Sequence, residues 1–157
     1  KDNSKFVFLF GGQWSHSKNS NIAMEYFYIP QGYSSSEWGL YQDILKNTNL
    51  LLSSPSTSDN AINTLSTIHE SSDLTKRRKY LFIRFLRKSI FHNTNFETIS
   101  LIGFDDGSTY QRLQIEHVVY KSCNIYSQYL FTTGNSGTEF DQYTFNKQIR
   151  LGIKIVF

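Results

Sequence analysis

The sequence contains no apolar run close to the ~20 residues that a membrane-crossing helix needs, although 39 % of its 157 residues are hydrophobic. Helical membrane spans are therefore excluded, and membrane-crossing strands are not. Cys123 is the only cysteine, so an intrachain disulfide and a cysteine metal cluster are both excluded. The four histidines, His16, His69, His92 and His117, show no metal-ligand spacing. Nothing else points to a bound cofactor. Charge of one sign is also scarce: the formal net charge is +3, and the basic residues are scattered rather than striped, which argues against a nucleic-acid partner. Repeats of solenoid period are missing. Lys1-Asp2-Asn3-Ser4 leads into a strand pattern with no signal-peptide features, so a mature chain or a fragment is expected.

Aromatic residues are plentiful, at 16 % of the chain, with 13 Phe and 10 Tyr. They fall in segments where apolar and polar residues alternate, the period of a half-buried strand. Seven such segments are expected: 5–15, 21–29, 79–88, 96–104, 112–120, 125–132 and 145–157. The first puts Phe6, Phe8 and Phe10 on one face; the second Ile22, Met24, Tyr26 and Tyr28; the third Leu81, Ile83 and Phe85; the fifth Leu113, Ile115 and Val119. The fourth and sixth are apolar on both faces, and alternation does not orient them. The opposite faces carry Glu25, Arg84, Arg112, Gln114, Glu116, Gln148, Arg150 and Lys154. In a soluble sandwich these eight would meet solvent.

The last strand alternates up to Phe157 itself. Its final octet has Arg150, then Gly152, then hydrophobic Ile155 and Phe157 at the third-last and last positions. This octet resembles the C-terminal insertion signal of Gram-negative outer-membrane β-barrels. The segment 23–28, followed by Gln31-Gly32-Tyr33 and Glu37-Trp38, is also similar to parts of larger porin-like proteins. The resemblance implies an all-β fold, an antiparallel transmembrane barrel in the bacterial outer membrane. It implies contact with outer-membrane lipid and lipopolysaccharide, and delivery by the barrel assembly machinery. The eight polar-face residues would then line the lumen, because Arg or Lys on the lipid face costs ~2–4 kcal/mol at mid-membrane.

Connections agree in part with that topology. Barrels pair short periplasmic turns with longer extracellular loops. Counting back from the C-terminus, 30–78 becomes a long extracellular loop, 133–138 and its neighbours a second, and the Asp105-Asp106-Gly107 hairpin a third, short one. Seven strands are an odd number, whereas bacterial single-chain barrels have an even one. The expectation is the C-terminal part of a larger barrel, completed by an upstream segment or a second chain. Within the long loop, 36–47 has helical spacing, with Trp38, Tyr41, Ile44 and Leu45 on one side and Ser34–Ser36 as caps. Residues 53–58 read as irregular, and 61–70 as a second short helix.

Other constellations are weaker. Lys76-Arg77-Arg78-Lys79 is the strongest charge run, and would suit lipopolysaccharide phosphates or attract anionic solutes to a pore mouth. His16 with Ser17, Ser20 and Asn19 or Asn21 resembles outer-membrane lipid hydrolases, but their motif has Ser two residues after His, where this chain has Lys18. A nucleophile and its base must be within hydrogen-bond reach, so no enzyme is expected. The leading expectation is a porin-like channel for passive transport of small hydrophilic solutes or ions. The alternative is a structural barrel that houses or anchors an exported polymer, a lipoprotein or an electron-transfer partner.

Overall fold

The computed structural model describes residues 6–52, 75–120, 123–142 and 146–155. These form one antiparallel sheet of seven strands in sequence order: β1 (Phe8–Ser17), β2 (Ser20–Tyr28), β3 (Lys79–Arg87), β4 (Thr94–Gly103), β5 (Thr109–Tyr120), β6 (Cys123–Thr133) and β7 (Lys147–Ile155). Each strand is nine to twelve residues long. The one long helix described, α1 (Ser35–Leu52), and a 3₁₀ turn at Phe140–Gln142 lie in the connections. The sheet is open: β1 and β7 each have one neighbour. Its strands match the seven expected ones, with ends shifted by up to three residues.

The ladder settles the orientations that alternation leaves open. Across one row, Trp14 pairs with Ile22, Ile22 with Phe85, Phe85 with Thr98, Thr98 with Leu113, Leu113 with Tyr129 and Tyr129 with Ile149. Facing partners project to the same side, so β4 puts Phe96, Thr98, Ser100 and Ile102 on the apolar face and β6 puts Ile125, Tyr129 and Phe131 there. The register is also staggered. Lys147, at the start of β7, traces back through Phe131, Gln111, Ser100, Ile83 and Met24 to Gly12, four residues beyond the start of β1 at Phe8. Such a stagger accompanies strand tilt in closed sheets.

The apolar face is bare. Phe10 is 84 % exposed, Leu151 77 %, Ile149 70 % and Ile153 66 %. Burial concentrates instead at one end of the polar face, where the connections β2–β3, β4–β5 and β6–β7 converge. Tyr80, Ser108 and Phe140 are fully buried there. The apolar seam of α1 differs from expectation. Trp38, Tyr41 and Thr48 are buried, whereas Ile44 is 50 % exposed. The helix also continues past Asn47, to Leu52. The expected irregular stretch 53–58, the second short helix 61–70, His69 and Phe157 all lie outside the described residues.

No helix among the described residues is long and apolar enough to cross a membrane.

Candidate functional site: the polar face and the knot at its rim

All eight polar residues singled out from the sequence lie on one face. Arg84 pairs with Ile99 and Ile99 with Arg112; Arg112 pairs with Leu130 and Leu130 with Gln148. Gln114 pairs with Gln128 and Gln128 with Arg150, while Asn124 pairs with Lys154. Glu116 sits opposite Asn95 and Tyr126, and Glu25 opposite Gly11 and Phe82.

Several of them bond across strands to other residues of the same face. Glu97, unnoticed in the sequence because β4 was unoriented, is the centre of the network. One of its carboxylate oxygens accepts from Arg84 Nε at 2.6 Å and the other from Arg112 Nη2 at 2.6 Å. Gln128 Nε2 donates to Gln114 Oε1 at 2.8 Å, and Asn124 Nδ2 donates to Glu116 Oε1 at 2.7 Å. Arg150 Nε donates to Gln148 Oε1 at 3.0 Å, within its own strand. Gly152 has a packing reason besides its place in the terminal octet: a Cβ there would collide with the Tyr126 ring, which lies over it from the neighbouring strand.

The rim is a knot of buried polar groups. Glu139, 3 % exposed, accepts from the Tyr80 hydroxyl at 2.6 Å and from the Lys76 backbone N–H. The Tyr80 hydroxyl in turn accepts from the Arg77 backbone N–H. Asp106 accepts from the N–H of Glu139 at 2.8 Å and from both N–H and hydroxyl of Ser108. Asp105 accepts from the N–H groups of Arg78 and Lys79. Asp105-Asp106-Gly107 is indeed a hairpin turn, with Gly107 at φ 70°. At residues 104–108 it is no longer than the 88–93 connection at the opposite end, so loop lengths do not alternate throughout. Its role is to tie the other two connections together. Burial pushes the Glu139 carboxyl above its ordinary range, reinforced by Asp106, and outweighs the hydrogen bonds from Tyr80 and Lys76.

The helix hangs from this knot. Ser34 and Glu37 form a capping box, with Ser34 N–H donating to Glu37 Oε2 at 2.7 Å and Glu37 N–H donating to Ser34 Oγ at 3.4 Å. The Ser34 hydroxyl and N–H hold the Glu37 carboxyl below its ordinary range, with help from Arg78. Trp38 Nε1 donates to the Gly137 carbonyl at 2.8 Å, and the Arg77 guanidinium stacks over the Trp38 ring at 5.4 Å.

The Lys76–Lys79 run is consequently no open cationic patch. Arg77 is 2 % exposed and donates to Ser35 Oγ and the Asp105 carbonyl. Arg78 pairs with Glu37 at 3.1 Å and donates to the Gly32 carbonyl, and Lys76 donates to the Tyr41 hydroxyl. Only Lys79 is exposed. Sequence flagged the charges, but not that acidic turns and an aromatic helix face consume them.

The described histidines are dispersed. His117 is on the apolar face, its Nδ1 2.8 Å from the Thr94 hydroxyl, and the His16 ring packs at a tilt against Trp14 at 5.3 Å. Ser17 Oγ accepts from the Asn19 N–H within the β1–β2 turn. Among the described residues no cluster of metal ligands exists.

No protein-family model, curated protein or solved structure matches the chain. The residues themselves therefore carry the functional reading.

Proposed function

We propose that this chain is a section of a bacterial outer-membrane β-barrel, of porin-like type, whose polar face lines an aqueous lumen for passive passage of small hydrophilic solutes or ions. One observation carries the reading: the bare apolar face is uncharged between basic residues towards its two ends. Lys79 opens β3 and Lys147 opens β7, offset by the register stagger, and His16, Arg87 and His117 lie towards the opposite strand ends; strand by strand, the described apolar-face residues between these positions carry no charge. From Lys79 to Arg87 the strand rises roughly 26 Å at ~3.3 Å per residue. A tilt of about 40° leaves ~20 Å of height, and the two long side chains add reach at both ends, against the ~25 Å apolar band of barrels. Aromatic side chains gather near the ends, Phe8, Tyr26 and Tyr28 at one and Trp14, Phe85 and Phe96 at the other, as interfacial girdles do.

The two unpaired edges fit the same picture. Backbone groups at a lipid-exposed sheet edge have no water to bond, so β1 and β7 require partner strands from the remainder of the barrel. The structural-barrel alternative has its own support: the rim knot gathers α1 and the β6–β7 connection at one end of the polar face, where they would narrow or close a lumen.

Spin labels test the facing directly. In a Cys123→Ser background, labels at Leu151→Cys and Ile153→Cys should be relaxed by lipid-soluble oxygen in reconstituted vesicles. A label at Arg150→Cys should be relaxed by a water-soluble nickel chelate instead. Equal accessibility to both relaxants along β7, or the reverse pattern, would overturn the outward assignment of the apolar face.

A further inference from the structure

We infer that the apolar face carries a binding site for one anionic glycerophospholipid, in a hollow of about 260 Å³ between the ends of β1, β2 and β3. Trp14, His16, Ser20, Ile22, Phe85 and Arg87 line it. This rests on the reading that the apolar face meets lipid. The lining divides by chemistry along the strands. Trp14, Ile22 and Phe85 share one row of the ladder and form an apolar floor. Ser20 and Arg87 pair on the next row, and the His16 ring packs at a tilt beside Trp14 at the same end. The step from Phe85 to Arg87 is roughly 7 Å, about the distance from upper acyl chain to headgroup phosphate.

The polar end of the hollow offers donors and no carboxylate. Arg87 is exposed and has no ion-pair partner among the described residues, so its guanidinium is free to fork around a phosphate. The Ser20 hydroxyl and a His16 ring N–H complete the donor set. The neighbouring hollow on the polar face, about 210 Å³, differs in this respect: Glu97 and Glu116 line it together with Arg84 and Lys88, so its charges are already balanced. Of these two hollows, the apolar-face one pairs an unneutralised cation with a greasy floor. A headgroup of net negative charge fits it better than a zwitterionic one, whose ammonium would be brought towards Arg87.

Trp14 reports occupancy. The intact protein is placed in vesicles containing brominated phosphatidylglycerol or brominated phosphatidylcholine at equal bromine density and low salt. A Trp14→Phe variant gives the background from Trp38. Quenching should favour phosphatidylglycerol by roughly tenfold in apparent association, the scale of one charge-assisted contact. Arg87→Gln should abolish the preference while quenching by phosphatidylcholine stays unchanged, and Arg87→Lys should keep part of it. Lys18→Gln, in the adjacent β1–β2 turn but outside the hollow, should keep all of it. An equal preference in wild type and Arg87→Gln, or equal loss in Lys18→Gln, would replace the site by diffuse surface charge and overturn the proposal. Absence of quenching by either lipid would sink the outward-face reading and this site with it.

Discussion

Glu139 shows how a single side chain controls the rim. Its carboxylate is the acceptor for both the Tyr80 hydroxyl and the Lys76 N–H in a region that excludes water. Glu139→Ala would strand both donors. Each buried unsatisfied group costs about 1–3 kcal/mol, so the loss should be roughly 2–6 kcal/mol by urea unfolding in micelles. The raised pKa sets the pH dependence. Below the ordinary glutamate range, about 4.3, folded and unfolded states are both protonated at this residue and its ionisation costs nothing. As pH rises through that value the unfolded chain releases the proton first, and stability falls until the folded pKa is passed. Wild type should lose stability relative to Glu139→Gln over that window; a constant difference between the two would show that burial does not penalise the charge. None of this was legible in the sequence. Glu139 stands in a Gly- and Thr-rich connection that reads as polar loop, and Tyr80 reads as one more strand aromatic. Their 59-residue separation hides the contact.

At the scale of the element, the helix was readable in outline. Helical spacing and the serines before it announce α1, and the capping box with Glu37 confirms the start. Its buried seam was misread at Ile44 because hydrophobicity alone picks isoleucine over Thr48. Thr48 can be buried because its hydroxyl donates back to the Ile44 carbonyl at 2.7 Å. The strands were readable for a different reason: most alternate with a period of two, and only β4, fairly apolar on both sides, and β6, ambiguous in its pattern, needed their neighbours to orient them. The anchor of α1 is Trp38, which bonds Gly137 and stacks with Tyr41 at 5.0 Å. Trp38→Ala should cost about 3 kcal/mol at this contact, released locally rather than through the sheet. Hydrogen exchange across 35–52 should accelerate about a hundredfold while β3–β6 amides keep their protection. Uniform acceleration of strands and helix would mean that the rim and sheet unfold as one unit.

For the whole molecule, the two faces make opposite demands on the surroundings, and the polar one is where conduction can be tested. Glu97 already neutralises part of the charge of Arg84 and Arg112. Arg112→Glu would break that bridge and set two carboxylates side by side, so a change in conduction there can be confused with damage to the wall. Arg150 avoids the ambiguity, because its bonded partner is the neutral Gln148. Reversing either residue changes the wall by two charge units. At about 8 Å through water that shifts a permeant cation and anion by ~1 kcal/mol each in opposite directions, about thirtyfold in the cation-to-anion permeability ratio before salt screening. Planar-bilayer reversal potentials on the native assembly should therefore move towards cations in both variants, and by a similar amount in Arg150→Glu, where the fold is undisturbed. A shift confined to Arg112→Glu would point to a rearranged wall rather than to its field. No shift in either would remove the polar face from the conduction path. A wild-type protein that inserts but passes no current would mean that α1 and the β6–β7 connection close the lumen, and the structural barrel would become the better account of the same polar network.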